Sequence, residues 1–225
     1  MKHTTTLALA AALTVAFARP GAAQVRGIPV YNSGVATGIT LAAEFGKPND
    51  ASGGGVAYGA SGRLGLGRMG VTAMAVESDL KGPGGKFLSV GATLNLKLLG
   101  GPLIPLSATL QGGAGYSKNS VVAQPMGTTG QVTEMRFPVG LGIAMTLPNP
   151  VLAIKPWLAP RIDIIRATTQ GASATSTAFG ISGGLEFNFL SGLGIHAAYD
   201  WSRRNGVTLG TLGLGLHYGL RVPGL

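Results

Sequence analysis

Cysteine is absent from all 225 residues, so disulfides, thiolate metal sites and cysteine nucleophiles are excluded from this protein's chemistry. Charge is scarce as well. Only 11% of the residues are charged and eight are acidic, whereas a soluble domain uses about 25% charged residues to cover its wet surface. Beyond the first two dozen residues no apolar run reaches the length of a helical membrane span. Mean hydropathy is nevertheless positive, at +0.35. Apolar residues that are plentiful but not contiguous must be spread by alternation, the pattern of strands with one face in lipid.

Met1–Ala23 has the parts of a secretory signal peptide: a basic start at Lys2, an apolar stretch Leu7–Ala18, and the small residues Gly21-Ala22-Ala23 before Gln24. About twelve apolar residues are too few to cross ~30 Å of hydrocarbon. Without Lys2 and Arg19 the remainder keeps 15 of its 17 basic residues against 8 acidic ones, a net +7. These bases are scattered with no aromatic-rich basic face, so nucleic acid is not an expected partner. Residues 24–34 form a lead-in whose place, in the periplasm or inside a barrel, the sequence leaves open. Residues 35–225 are the expected barrel.

Period-2 alternation recurs in about ten segments, near 35–46, 55–66, 69–77, 88–98, 105–116, 133–147, 153–167, 178–190, 193–203 and 208–220. The fourth is the clearest, with Leu88, Val90, Ala92, Leu94, Leu96 and Leu98 opposite Ser89, Gly91, Thr93, Asn95 and Lys97. The third is ambiguous in phase. The seventh carries Pro156 and Pro160, both expected to miss bonds to the same neighbour, with a bulge or shortened strand there. Ten strands is the preferred count and eight the alternative. The polar face is mostly Gly, Ser, Thr and Ala, which suits a narrow lumen and not a soluble sandwich.

Expected connections alternate in length. Those at Gly67-Arg68, 99–104, 148–152 and 191–192 are short, while 47–54, 78–86, 117–132 and 168–177 are longer, with a tight one at 204–207. Short periplasmic turns and longer external loops give this rhythm. Aromatics follow it: Phe45, Tyr58, Tyr116, Phe137, Phe179, Tyr199 and Trp201 fall near the external rim, and Phe187, Phe189 and Tyr218 near the periplasmic one.

The last segment reads Thr211-x-Gly213-x-x-Leu216-x-Tyr218, which resembles the C-terminal sorting signal of outer-membrane barrels. It departs from the usual form in closing on Leu225 instead of an aromatic residue. Together with the leader and the alternation, the chain resembles the small bacterial outer-membrane β-barrel class of OmpA-like and OmpX-like domains. The resemblance implies an all-β, antiparallel up-and-down transmembrane barrel in the outer membrane, inserted by the barrel assembly machinery.

The phase places five acids (Glu44, Glu134, Asp163, Glu186, Asp200) and five bases (Arg63, Lys97, Arg136, Lys155, Arg161) on the lumen face. Unpaired charges in a poorly hydrated lumen are costly, so equal numbers point to a paired network that plugs or gates it. His196, Asp200 and Glu186, with Ser182 and Ser202 nearby, are the residues a lipid-modifying hydrolase would draw on, but no family motif surrounds them. No H-E-x-x-H or calcium loop occurs, so no cofactor or metal is expected. Lys47, Lys81, Lys86, Lys118, Arg203 and Arg204 form a basic collar facing lipopolysaccharide phosphates, or ordinary solvated loops. The reading is a non-enzymatic barrel with a structural or interaction role. A passive small-solute channel is the alternative and a lipid-active enzyme the third. Oligomeric state is left open.

Overall fold

The computed structural model describes residues 25–81, 85–101, 104–123, 128–149, 151–169 and 172–220. The leader, its cleavage point before Gln24 and residues 221–225 lie outside the described residues. The strands are β1 (Gly38–Pro48), β2 (Val56–Leu66), β3 (Met69–Asp79), β4 (Lys86–Gly101), β5 (Ile104–Ala123), β6 (Thr128–Met145), β7 (Leu147–Pro148), β8 (Leu152–Thr169), β9 (Ala172–Phe189), β10 (Leu193–Arg204) and β11 (Val207–Leu220). Since β7 continues the β6 register against β8 past Thr146, these make ten staves. Each stave pairs antiparallel with the next, and β1 with β11 closes the ring, leaving no sheet edge. No helix among the described residues is long and apolar enough to cross a membrane.

The outer face is apolar through its middle. Leu41, Leu94, Leu158, Ile162, Leu185 and Leu214 are 44–63% exposed, a continuous belt that water would not tolerate but lipid does. Exposed charges stay out of this belt. Lys47, Glu77, Asp79, Lys86, Lys118, Arg166 and Arg203 gather at the end where β1 meets β2, and Arg68 sits in the tight turn at the other. By the loop rule the charged end is external and the tight-turn end periplasmic. Two aromatic pairs mark the external rim: Phe45 with Tyr58 at 5.5 Å between centroids, and Phe179 with Trp201 at 6.4 Å.

Segments 117–132 and 168–177, expected as loops, are largely strand. β5 pairs with β6 up to Ala123 and Thr128, and β8 with β9 up to Thr169 and Ala172. These four staves run 18–20 residues against 11 for β1–β3, so one side of the barrel rises above the belt. Above the membrane neither face of a strand meets lipid, so the hydrophobic alternation that betrays it in sequence disappears. The tight turn expected at 204–207 is Asn205-Gly206, with φ of +48° and +80°, the left-handed pair that a two-residue type I′ hairpin requires.

The β8 prolines behave differently from the bulge expected of them. β8 keeps all 18 residues and an unbroken register with β9, where Pro156 faces Leu185 and Pro160 faces Ile181. On the β6 side the ladder lapses between Gly140–Arg161 and Ile143–Leu158, and again around Pro156. Both missing N–H groups therefore face one neighbour, and the stave stays straight. The irregular register lies instead between β4 and β5, from Lys97 to Gly101.

Candidate functional site: the barrel interior

Ten staves enclose more space than eight, whose interior side chains just fill it. Here the inner wall is mostly small, and the room is occupied by the chain itself. Residues 25–36 run inside the barrel antiparallel to β1. Val25 and Ile28 pack on Ala57, Met74 and Val76 in the external half, and Tyr31 packs on the cluster of Ala144, Trp157, Ala159 and Ala198 farther down. Ile28 and Val30 are 0% and 1% exposed. The backbone is pinned by Ser78 Oγ donating to the Arg26 carbonyl (2.8 Å) and Gln111 Nε2 donating to the Tyr31 carbonyl (2.9 Å). The first stave accordingly begins at Gly38 and not at Val35, which is buried.

This segment explains the ambiguous phase of β3. Met74 and Val76 face inward, where apolar side chains are out of place in a wet lumen but suited to an apolar filler. It also explains several inward glycines. A Cβ at Gly46 would overlap the Gly27 carbonyl, one at Gly65 the Ala36 carbonyl, one at Gly142 the Asn32 carbonyl, and one at Gly213 the Pro29 ring. The small inner face reflects the segment's backbone, not only a narrow bore.

All ten charged residues named from the sequence point inward, in two layers. In the external half Arg161 of β8 is the hub. Its Nη1 and Nη2 donate to the two carboxylate oxygens of Asp200 at 2.6 and 2.9 Å, its Nε donates to Asp163 at 3.1 Å, and its Nη1 also donates to Ser182 Oγ at 2.7 Å. Arg136 Nη2 of β6 donates to the same Oδ2 oxygen of Asp163. These groups are at most 4% exposed, so the bidentate fork is a desolvated, charge-assisted contact. Glu134 has Arg204 Nη1 at 4.0 Å. Arg204 thus leaves the external collar, because the β10 alternation that carries Asp200 and Ser202 inward carries it inward too. Arg26 of the internal segment, over the Phe87 ring at 5.4 Å, adds another base. With Arg26 and Arg204 the lumen holds, among the described residues, seven Lys and Arg side chains against five acids, not five against five.

The periplasmic layer is a chain of side-chain contacts. Ser61 Oγ donates to Glu44 (2.8 Å), whose other oxygen meets His196 Nε2 (2.9 Å). The Nδ1 atoms of His196 and His217 face each other at 3.1 Å, and His217 Nε2 meets Asn188 Oδ1 at 2.9 Å. Asn188 Nδ2 and Ser33 Oγ then donate to the two oxygens of Glu186, with Arg63 Nη1 at 3.5 Å. The Tyr31 ring lies edge-on to His196 at 4.8 Å. Sequence reasoning placed both histidines on the inner face but did not pair them; they sit diagonally on neighbouring staves, His196 opposite Gly215 and His217 opposite Gly194. Glu44 and His217 occupy both His196 nitrogens, and Ser182 is bonded to Asp200, so the geometry does not assemble the serine–histidine pair considered for a hydrolase. Among the described residues no group of His, Asp and Glu suited to a metal occurs. Of the sorting pattern, Thr211 and Gly213 face the lumen, and Leu216 and Tyr218 are about half exposed on the outer face.

If the segment is held as its burial implies, trypsin should spare the Arg26–Gly27 bond, since Arg26 is 7% exposed, while cutting at the exposed Lys81. Ile28→Ala removes about 2–5 kcal/mol of packing, and cleavage after Arg26, read by mass spectrometry, should rise more than tenfold. Equal cleavage at both sites in the unmodified protein would mean the segment is not held.

No family model matches the chain, and no curated protein matches it in sequence. Solved structures match its fold. The β domain of the Bordetella autotransporter BrkA aligns at 11% identity and TM-score 0.50 over 81% of this chain and 98% of that one. The translocator domain of the autotransporter NalP from Neisseria meningitidis aligns at 12% identity and TM-score 0.48 over 83% and 90%. The N-terminal β-barrel domain of Pseudomonas aeruginosa OprF aligns at 12% identity and TM-score 0.38 over 80% and 95%. The chain has the closed transmembrane barrel fold of small bacterial outer-membrane proteins.

Proposed function

We propose that this protein is a non-catalytic outer-membrane barrel, closed by its own residues 25–36, that spans the membrane as a scaffold and presents its tall β5–β9 side outside the cell. The observation that supports closure most directly is the burial of residues 25–33 against inward side chains of β2, β3, β5, β8 and β9. Occupied histidine nitrogens support the absence of hydrolytic activity. The exposed cations Lys47, Lys81, Lys86, Lys118 and Arg203 surround the external rim, where lipopolysaccharide phosphates offer charge-assisted partners. Export through the leader in residues 1–23, and recognition of Thr211, Gly213, Leu216 and Tyr218 by the barrel assembly machinery, complete the reading.

Planar-bilayer recording tests it. The refolded barrel should give no steady current, and deletion of residues 25–36 should give stepwise open-channel current, with the gel-mobility shift on boiling showing that each protein is folded. Steady conductance of the unmodified barrel would replace this reading with the passive channel.

A further inference from the structure

We propose that the periplasmic half of the lumen binds a small oxyanion, a phosphate or a carboxylate, between Lys97, Lys155 and Thr109.

The argument begins with the acids, because the sequence has only eight and every one is among the described residues. Asp50, Glu77 and Asp79 are exposed outside the barrel. Asp163 and Asp200 are committed to Arg136 and Arg161, Glu134 lies by Arg204, and Glu44 holds Ser61 and His196. Glu186 is the acid that faces Lys155, but its oxygens already accept from Ser33 and Asn188 and lie beside Arg63. Arg63 and Lys97 face Lys155 as like charges. Glu186 is also the cross-strand partner of Lys155, so the periplasmic layer holds the three cations Arg63, Lys97 and Lys155 against the two acids Glu44 and Glu186, a surplus that repulsion and desolvation both oppose.

Neutral donors converge on the same place. Thr109 is the cross-strand partner of Lys97, is 1% exposed, and its Oγ1 has no hydrogen-bond partner. At Gly34, whose φ is +110°, the position a Cβ would occupy is 3.5 Å from Lys155 Nζ, 3.7 Å from Ser107 Oγ and 3.8 Å from Thr109 Oγ1. With no side chain at Gly34, Lys155 Nζ and the hydroxyls of Ser107 and Thr109 gather around its bare backbone with nothing from that residue between them. An oxyanion bridging these groups would accept from Lys155 and Thr109, balance the surplus cation, and enter from the periplasm, because both lysines are only half-buried.

Thermal unfolding of the refolded barrel in detergent, at constant ionic strength with sodium chloride as reference, tests the site. Sodium phosphate or sodium acetate should raise the unfolding temperature saturably, and the anion that saturates at lower concentration identifies the class. Lys97→Met or Lys155→Met should weaken that apparent affinity by about tenfold or more, and the double variant should abolish it. Thr109→Val, which keeps the shape and both charges, should weaken it several-fold and covers the case in which a lysine variant fails to fold. A wild-type barrel with no saturable response to either anion, or a double variant that responds as wild type does, would overturn the proposal. The readout is independent of conductance, so this site and the closed-barrel reading stand or fall separately.

Discussion

A barrel carrying Gly46→Val and Gly142→Val should conduct ions steadily where the unmodified protein is silent. Both glycines lie on staves with side-chain positions facing inward, and both would place a Cβ on the backbone of the internal segment, at the carbonyls of Gly27 and Asn32. Overpacking ordinarily costs about 1–3 kcal/mol per site, with neighbouring side chains giving way. A main-chain carbonyl fixed by its own neighbours yields less, so two such sites fall at the upper end of that range. Valine meanwhile suits a strand better than glycine does, so the wall should keep its fold. The substitutions thus penalise the seated segment selectively. Gly112→Val is the control, because a Cβ there would meet nothing within 4 Å and would face lipid; it should remain silent. If the double variant is a folded, heat-modifiable barrel and still carries no current, residues 25–36 are not what closes the lumen.

Arg161→Met should be among the most destabilising single changes in the protein, at about 3–5 kcal/mol. The fork of Arg161 supplies the charged partner of Asp200 and one of two for Asp163. After its loss Asp163 keeps Arg136, but Asp200, 0% exposed, keeps only Ser182 Oγ at 3.0 Å as a hydrogen-bond donor and loses its direct ion pair, with Arg136 already committed to Asp163. A stranded buried carboxylate is the costly outcome. Removing both partners removes the problem, so Arg161→Met with Asp200→Leu should recover most of the loss, to within about 1 kcal/mol of wild type if the apolar pair packs. Guanidinium unfolding in detergent, followed by far-ultraviolet circular dichroism, reads both variants. A double variant as unstable as the single would show that the cost lies in lost packing around β8 and not in the uncompensated charge.

Strand alternation was readable because it records a contrast between two environments. Wherever a stave has lipid on one side and the lumen on the other, as at Leu88–Leu98, the residues carry the boundary in their order. Where that contrast fails, so does the reading. The upper parts of β5, β6, β8 and β9 rise above the lipid, so their outer faces lose the apolar side chains that mark a membrane strand, and they looked like loops. β3 has apolar surroundings on both faces, since Met74 and Val76 meet Val25 and Ile28, and looked phaseless. The inward direction of the ten charged residues followed from the same alternation, whereas their partners did not. Arg161 and Asp200 are 39 residues apart, with the stave β9 between theirs, and only the register of the three staves brings them to 2.6 Å.

By itself the sequence determined the architecture: about ten membrane-crossing segments, their order, the facing of residues within the lipid belt of all but β3, and a lumen rich in charge and poor in bulk. Those are local properties, set by period-2 geometry and by which solvent each face must satisfy. Tertiary structure alone decided what fills the lumen. The lead-in has no alternation to betray its place, and its position depends on space left by glycines as distant as Gly46, Gly142 and Gly213, which coincide only when the barrel closes. It likewise decided the charge balance, by turning Arg204 inward and bringing Arg26 into the bore, so that an apparent five-and-five interior holds two surplus cations among the described residues.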